Sequence, residues 1–140
     1  MAKRILDILV ASMGLLVCFP FMVILALAIK LDTPGPVFYR GVRVGRFGKP
    51  FRIYKFRSLV QDAERIGAAS TSSVDHRLTR VGRYIRKFKL DEISQLINVL
   101  AGDMSIVGPR PEVQKFVDKY TEEEKRILSV RPGITDWSSI

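Results

Sequence analysis

The chain begins with a long apolar stretch and continues as a mixed sequence with many breaks. Residues 8–29 contain no charged side chain, and they lie between Lys3-Arg4 and Lys30. A straight α-helix of this length would measure about 33 Å, which is enough to cross a hydrocarbon core of about 30 Å. The pattern therefore predicts a membrane anchor over residues 1–31 and a second domain over residues 32–140.

Three interpretations of the anchor compete. A cleaved signal peptide fits the basic start and the sequence Ala26-Leu27-Ala28, but the apolar run is long and a strongly basic domain follows it. A spanning helix fits the length, although positive charge at both ends gives it no preferred direction. A re-entrant helix with both ends on one side fits Pro20, because proline lacks an N–H and interrupts helices. The residues alone support spanning and re-entrant arrangements equally, and the signal peptide less.

Short apolar runs after the anchor predict a small β element. Residues 37–39 and 51–54 each have the composition of a short strand, and glycines and a proline between them predict loops. Basic residues recur at every third position through this region, at Arg40, Arg43, Arg46, Lys49, Arg52 and Lys55. We expect a basic hairpin or loop near the membrane, where it either tethers the domain to anionic lipid or contributes to catalysis.

Helical patterns dominate the rest of the chain. Helices are expected at about residues 59–68, 80–87, 92–101 and 122–129. Thr79 is a candidate N-cap for the second helix, Gly102 ends the third, and Thr121 with Glu124 forms a capping box before the fourth. The predicted fold class is therefore an α-rich α+β domain of short helices with a minor β-hairpin.

Charge and composition narrow the function classes. The chain carries 23 Lys and Arg against 14 Asp and Glu, a formal net charge of +9, which predicts an anionic partner: nucleic acid, acidic lipid or a phosphate-rich substrate. Cys18 and His76 are the only residues of their types, which excludes a disulfide framework and a Cys or His zinc cluster within one chain. His76 is expected to be a solvated loop residue. Aromatic residues among the basic ones would suit nucleic acid, but that function leaves the apolar anchor unexplained.

Asp91 and Glu92 are adjacent carboxylates at the start of the third predicted helix. Acids favour this position for structural reasons alone, because they pair with free N–H groups. The same position also suits a carboxylate nucleophile beside a second acid that binds Mg²⁺. Spacing alone favours the structural interpretation.

The surrounding residues resemble a known family. The block from Leu90 to Pro111 is similar to the signature of the bacterial sugar transferases, the polyprenyl-phosphate hexose-1-phosphate transferases also called monotopic phosphoglycosyl transferases. Residues 54–58, 131–135 and 3–7, the last followed by an apolar run with an internal proline, match the family too. The resemblance covers essentially the whole chain.

This resemblance implies an enzyme with a covalent intermediate. Asp91 matches the family nucleophile, which attacks the β-phosphorus of a UDP-sugar, releases UMP and then passes the sugar-1-phosphate to undecaprenyl or another polyprenyl phosphate. Glu92 matches the acid that binds Mg²⁺. The matching phosphate-binding positions are Lys55, Arg57, Arg86, Arg110 and Arg131. Several fixed cations and a divalent metal would offset the charge of two phosphate substrates.

The resemblance also implies a location and partners. The family anchor is a re-entrant helix broken at its proline, here Pro20, with the catalytic domain on the cytoplasmic side of the bacterial inner membrane. The implied partners are a UDP-sugar donor, a polyprenyl phosphate acceptor and membrane lipid, without nucleic acid, and a homo-oligomer would be compatible. The implied role is the first membrane step of exopolysaccharide, O-antigen or glycoprotein assembly. No segment specifies which sugar is transferred.

Two departures from the family pattern stand near the C-terminus. Family members usually continue with a further strand and an amphipathic helix, so the C-terminal part of the pattern is expected to be missing after Ile140. Asp136 occupies the glycine position of the usual Ile-Thr-Gly-Trp motif, which is expected to alter the local turn and any nucleotide contacts there.

Overall fold

The computed structural model describes residues 1–67 and 75–136, and about half of the chain is helical. The α-helices are α1 (Ala2–Asp32), α2 (Ala63–Ile66), α3 (Arg80–Lys87), α4 (Leu96–Ala101) and α5 (Gln114–Val117). Three segments form 3-10 helices: Arg46–Gly48, Leu90–Gln95 and Glu124–Ser129. The strands are β1 (Phe38–Tyr39), β2 (Val42–Val44), β3 (Pro50–Arg52), β4 (Lys55–Phe56), β5 (Ser105–Val107) and β6 (Gly133–Thr135).

The strands of the described residues form three separate pairs. β2 and β3 pair antiparallel as the expected hairpin, and β1 and β4 pair antiparallel on either side of it along the chain. β2 lies in the stretch that was predicted as loops, and the first predicted strand (residues 37–39) pairs with β4, which lies just after the second predicted strand (residues 51–54). The parallel pair β5–β6 was not predicted, because it joins two residue triplets that lie far apart in the chain.

α1 is one uninterrupted helix that contains Pro20, so the predicted break at this residue is not found. Proline removes one N–H from the hydrogen-bond ladder and crowds the preceding turn, which either kinks or breaks a helix, and here the helix continues through it. By length and composition, α1 is the one helix among the described residues that could cross a membrane. This single long apolar helix indicates membrane association; the re-entrant topology and the boundary at residue 31 stay predictions.

One face of α1 packs against the rest of the chain along most of its length. Met22, Leu25 and Ile29 join Phe56 and Ile85 in one hydrophobic cluster. Nearer the N-terminus, Ala11 joins a second cluster, whose other buried members are Ile53, Val99 and Met104. The opposite face is exposed and apolar, and includes Leu9, Met13, Leu16, Val17, Phe19, Ile24 and Leu27. The helix therefore presents one apolar face to the protein and another to its surroundings.

Acidic residues near both ends of α1 bond to the domain. The buried Asp7 carboxylate accepts hydrogen bonds from Ser105 Oγ at 2.8 Å and from the Ile106 N–H at 3.1 Å. At the other end, Asp32 Oδ2 accepts from the Val81 N–H at 3.0 Å, in the first turn of α3. Such bonds to a charged acceptor contribute about 1.5–3 kcal/mol each. The two ends of the helix are thus attached to the same body.

Local helix signals were the most accurate of the sequence predictions. α3 occupies the predicted residues, and Thr79 Oγ1 accepts from the Gly82 N–H at 2.8 Å as its N-cap. Gly102 ends α4 with a positive φ of 97°. Thr121 and Glu124 exchange the two hydrogen bonds of the predicted capping box. In each case the signal lies within four residues of the bond that it makes.

Helix lengths and types were less well predicted. The helix expected at residues 59–68 is a single turn, Ala63–Ile66, because Leu59 pairs in a β-bridge with Leu78. The helix expected at 92–101 begins as the 3-10 segment Leu90–Gln95, and the one expected at 122–129 is the 3-10 segment Glu124–Ser129. His76 lies in an exposed turn, as expected.

Candidate active site

Four of the predicted site residues form one cluster of ion pairs. Lys55 Nζ lies 3.2 Å from Glu92 Oε1 and 3.8 Å from Asp91 Oδ2. Arg110 Nη2 lies 3.5 Å from the same Glu92 oxygen. The side chains of Lys55, Asp91 and Glu92 are 17–24% exposed, whereas Arg110 is 58% exposed. The cluster is therefore partly buried around its carboxylates and open on the side of Arg110.

The backbone beside Lys55 is held by polar side chains from the following helices. Asn98 accepts a hydrogen bond from the Tyr54 N–H at 2.8 Å and donates to the Arg52 carbonyl at 2.9 Å. Ser94 Oγ donates to the Tyr54 carbonyl at 3.0 Å. Both side chains are fully buried, and they replace the strand partners that this segment lacks. They fix β4, and with it Lys55, to the helical segments that follow Asp91.

These two residues were missed by the sequence analysis. Ser94 and Asn98 are spaced four residues apart, which places them one helical turn from each other. The helix was predicted from an apolar stripe at Ile93, Leu96, Ile97 and Leu100, and the polar positions beside this stripe were given no role. Polar residues at i and i+4 beside an apolar stripe were the available signal.

Burial raises the pKa of the Asp91 carboxyl above its usual range, because the charged form loses solvent. Lys55 and Arg86 oppose this shift with their positive charges, and Glu92 adds to it with its negative charge. Desolvation is the largest of these effects. The ionised carboxylate is therefore poorly solvated, although two cations face it.

Arg86 approaches the cluster from α3. Its Nε donates to Ser58 Oγ at 2.9 Å. Its positive charge offsets part of the rise in the pKa of Asp91. The Ser58 backbone lies directly against α3 at Gly82. The contact is so close that a Cβ on Gly82 would collide with the Ser58 carbonyl oxygen. Only a glycine at this position lets the helix approach the Ser58 backbone closely enough for Arg86 to make its bond.

Arg57 and Arg131 hydrogen-bond to loop residues, mostly through backbone carbonyls. Arg57 is buried, and its two terminal nitrogens donate to Pro34 O at 2.6 Å and to Thr33 O and Oγ1 at 3.0 Å. Arg131 Nε donates to Gly102 O at 2.8 Å. These contacts join loops, and neither arginine takes part in the ion pairs with Asp91 and Glu92. Their predicted role in phosphate binding stays a prediction.

A metal ion at this site would need ligands from a substrate in addition to those from the protein. The described residues contain no group of three or more His, Cys, Asp or Glu side chains placed to hold one. Asp91 and Glu92 offer two carboxylates, which fits Mg²⁺, since this ion usually binds one or two carboxylates together with substrate phosphates and water. Glu92 would exchange its contacts with Lys55 and Arg110 for the metal.

Asp91→Asn should make the protein more stable at neutral pH. A raised pKa means that the folded state binds this proton more tightly than the unfolded chain does. The ionisation of Asp91 therefore lowers the free energy of unfolding as the pH rises through the pKa of the folded state. We expect a higher Tm for the variant at neutral pH and no difference at pH values where Asp91 is protonated in both states. Thermal unfolding in detergent at several pH values measures this.

Asp118→Asn is the matched control, because Asp118 is exposed and far along the chain from the cluster. A Tm for Asp91→Asn below that of the unmodified protein at neutral pH would show that the cations stabilise Asp91 more than its burial destabilises it.

The chain matches the bacterial sugar transferase family over residues 1–140. It is 46% identical over 99% of its length to a UDP-N-acetylgalactosamine-undecaprenyl-phosphate N-acetylgalactosaminephosphotransferase of Aeromonas hydrophila, covering 33% of that protein. It is 44% identical over 96% of its length to the galactosyl transferase CpsE of Streptococcus agalactiae, covering 32% of it. It is 42% identical over 99% of its length to the UDP-glucose:undecaprenyl-phosphate glucose-1-phosphate transferase of Escherichia coli, covering 30% of it.

The chain thus spans about a third of the length of these three relatives. The names of these relatives specify different sugars, and two of the three names include undecaprenyl phosphate. The match extends from the anchor through the ion-pair cluster to the C-terminal residues. This chain belongs to the bacterial sugar transferase family.

Proposed function

We propose that this chain transfers a sugar-1-phosphate from a UDP-sugar to undecaprenyl phosphate through a covalent intermediate on Asp91. The observation that carries the proposal is the desolvated Asp91 carboxylate, which is faced by Lys55 and lies beside Glu92. The names of the relatives support the donor and the acceptor.

The reaction divides into two displacements at the same phosphorus. An oxygen of Asp91 attacks the β-phosphorus, the bond from that phosphorus to the bridging oxygen breaks, and UMP leaves with the electron pair. An oxygen of undecaprenyl phosphate then attacks the sugar-phosphoryl aspartate and frees Asp91. A poorly solvated carboxylate is a stronger nucleophile than a hydrated one, so the burial that raises the pKa of Asp91 favours the first step.

The cations around Asp91 would reduce the repulsion between its carboxylate and the diphosphate of the donor. A carboxylate that approaches a diphosphate meets like charge, and fixed donors aimed at the phosphoryl oxygens reduce this repulsion. Lys55, Arg86 and Arg110 surround the carboxylates from β4, α3 and the loop after β5. We assign direct phosphate contacts to these three residues, and to Arg57 and Arg131 the positioning of the loops that they hold.

Glu92 is the proposed Mg²⁺ ligand, together with phosphate oxygens of the donor. The bound ion would offset negative charge on the diphosphate and the leaving UMP. If Glu92 held the metal, Lys55 and Arg110 would lose one carboxylate partner and would be available to the phosphates. The ion pairs of the unliganded site would then be exchanged, not lost.

The attachment of both ends of α1 to one domain supports a membrane arrangement with both ends on the same side, which we propose to be the cytoplasmic side of the bacterial inner membrane. From Asp7 to Asp32 the helix rises about 37 Å at 1.5 Å per residue. A helix of that length set upright would place its ends on opposite sides of a bilayer core of about 30 Å. Asp7 and Asp32 instead bond to the same domain. We therefore propose that both ends lie on one side and that the exposed apolar face of α1 enters the membrane.

The covalent step predicts a trapped adduct. Purified protein mixed with UDP-sugar in the absence of acceptor should release up to one equivalent of UMP and gain the mass of the sugar phosphate, measured by intact mass spectrometry. Asp91→Asn should show no adduct and a loss of turnover on the order of a thousandfold or more. Asp118→Asn should behave as the unmodified protein. Adduct formation by Asp91→Asn would assign the nucleophile elsewhere, and UMP release only with acceptor present would favour direct transfer.

The metal proposal predicts a selective change in Glu92→Gln. Gln keeps the size of the side chain but removes the charge that binds the ion. The Mg²⁺ concentration at half-maximal activity should therefore rise by about tenfold or more. Initial rates across a Mg²⁺ titration measure this, with Glu123→Gln as an exposed control of the same chemistry. A titration curve unchanged in midpoint and height would exclude Glu92 as a ligand.

The topology is measured by cysteine labelling in a Cys18→Ala background. Ala2→Cys and Pro36→Cys place single thiols at the two ends of α1 without disturbing Asp7 or Asp32. An impermeant maleimide should reach both positions from the cytoplasmic side of inside-out vesicles and neither from the outside of intact cells. Labelling of the two positions from opposite sides would show that α1 spans the membrane.

A further inference from the structure

A groove of about 430 Å³ lies between β1, β2 and the segment that leads into α5. Its lining residues are Tyr39, Arg40, Gly41, Val42, Arg43 and Val113. We propose that this groove binds the nucleoside monophosphate half of the donor, the part that leaves as UMP. The inference rests on the proposed function and assigns to residues outside the ion-pair cluster the recognition of the leaving group.

The strand register places the groove beside the cluster. Tyr39 pairs directly with Lys55 in the antiparallel β1–β4 ladder, so their side chains share one face of the strand pair. Lys55 contacts Asp91 and Glu92, and Tyr39 lines the groove. A diphosphate held at Lys55 would therefore have the groove next to it.

The opposite wall comes from the segment that carries Arg110. Val113 lines the groove three residues after Arg110, which contacts Glu92. The Val44 N–H donates to the Glu112 carbonyl at 2.9 Å, so β2 and this segment are joined next to the groove. Both walls thus connect to phosphate-facing residues of the proposed active site.

The other face of the same strand pair is occupied by α1. Phe38 and its partner Phe56 pack into the cluster with Met22, Leu25 and Ile29. Since side chains alternate along a strand, Tyr39 points away from α1. The groove therefore lies on the side remote from the anchor, which suits a soluble nucleotide better than a phosphate attached to a lipid.

The chemistry of the lining fits a nucleotide. Arg40 and Arg43 supply two guanidinium groups, which bind phosphate oxygens in pairs, and none of the described lining residues is acidic. Arg40 stacks 3.4 Å above the Tyr54 ring, and its Nε is buried without a hydrogen-bond partner among the described residues. Arg43 Nη1 donates to the adjacent Val42 carbonyl, which leaves the rest of its fork for a ligand.

An aromatic ring completes the surface. Tyr39 packs directly over the backbone of Gly41, where any Cβ would overlap the ring. The bare glycine backbone thus fixes the position of Tyr39 at the edge of the groove. Aromatic rings beside cations bind bases by stacking, which would suit the nucleobase.

The experiment measures binding of UMP to the whole 140-residue chain in detergent by calorimetry, with Mg²⁺ and without sugar or acceptor. Arg43→Gln should weaken UMP binding about tenfold, the loss of one charge-assisted hydrogen bond, and Arg43→Lys should restore part of it. Gly41→Val, which displaces Tyr39, should weaken it as well. Lys49→Gln removes the same charge from the β2–β3 turn outside the groove and should leave UMP affinity unchanged.

Steady-state kinetics separate the two possible sources of phosphate. In Arg43→Gln, the KM for the UDP-sugar should rise, and the KM for undecaprenyl phosphate should stay unchanged. A rise confined to the acceptor KM would assign the groove to the lipid phosphate and overturn the proposal. Unchanged UMP affinity in both Arg43→Gln and Gly41→Val, with Tm values near that of the unmodified protein, would overturn it too, as would absence of UMP binding to the unmodified protein.

These outcomes are independent of the transfer proposal. Adduct formation and turnover test the transfer proposal, whereas UMP affinity tests the groove, whose lining does not include Asp91. If the unmodified protein binds UMP through Arg43 but forms no adduct and shows no turnover, the groove assignment stands and the transfer proposal fails. If adduct formation is normal and UMP affinity ignores Arg43, the reverse holds.

Discussion

The packing of α1 on the domain is the interaction on which the rest of the structure depends. Met22, Leu25 and Ile29 support Phe56 in β4 and Ile85 in α3. β4 carries Lys55, and α3 carries Arg86, so two cations of the candidate site rest on elements that the anchor supports. The anchor helix is therefore part of the hydrophobic core, and its burial positions groups that meet at Asp91.

The electrostatics of the site reflect a balance between burial and charge. Asp91 loses solvent, which disfavours its ionised form, while Lys55 and Arg86 favour it. The 3.8 Å contact between Lys55 Nζ and Asp91 Oδ2 is long, so Lys55 only partly neutralises the charge of Asp91. The closer contact of Lys55 is with Glu92, at 3.2 Å. Asp91 is thus less tightly paired than its neighbour, which suits the nucleophilic role that we propose for it.

The sequence predicted features that depend on nearby residues and missed those that depend on distant ones. Thr79 and Gly102 act within one turn of their own positions, and both were identified as helix ends. The pairing of β1 with β4 and of β5 with β6 depends on tertiary packing, so strands of two or three residues left no usable pattern. Site residues came from the family resemblance, and the contacts of Arg57 with the Thr33-Pro34 backbone could not be derived from it. The Asp136 departure lies at the edge of the described residues, and Trp137 lies outside them.

Asp7 explains why the anchor and the domain must fold together. A buried carboxyl group is costly unless it is hydrogen-bonded, and here Ser105 and Ile106 provide two hydrogen bonds to Asp7. Lys3 and Arg4 add bonds to the carbonyls of Val107 and Leu100. Separation of α1 from the domain would break these bonds and expose both hydrophobic clusters at once. The depth at which the apolar face of α1 sits in a bilayer would then also determine the height of Lys55 and Asp91 above it. A rigid link of this kind lets one packing interface determine both the stability of the fold and the position of the Asp91 carboxylate.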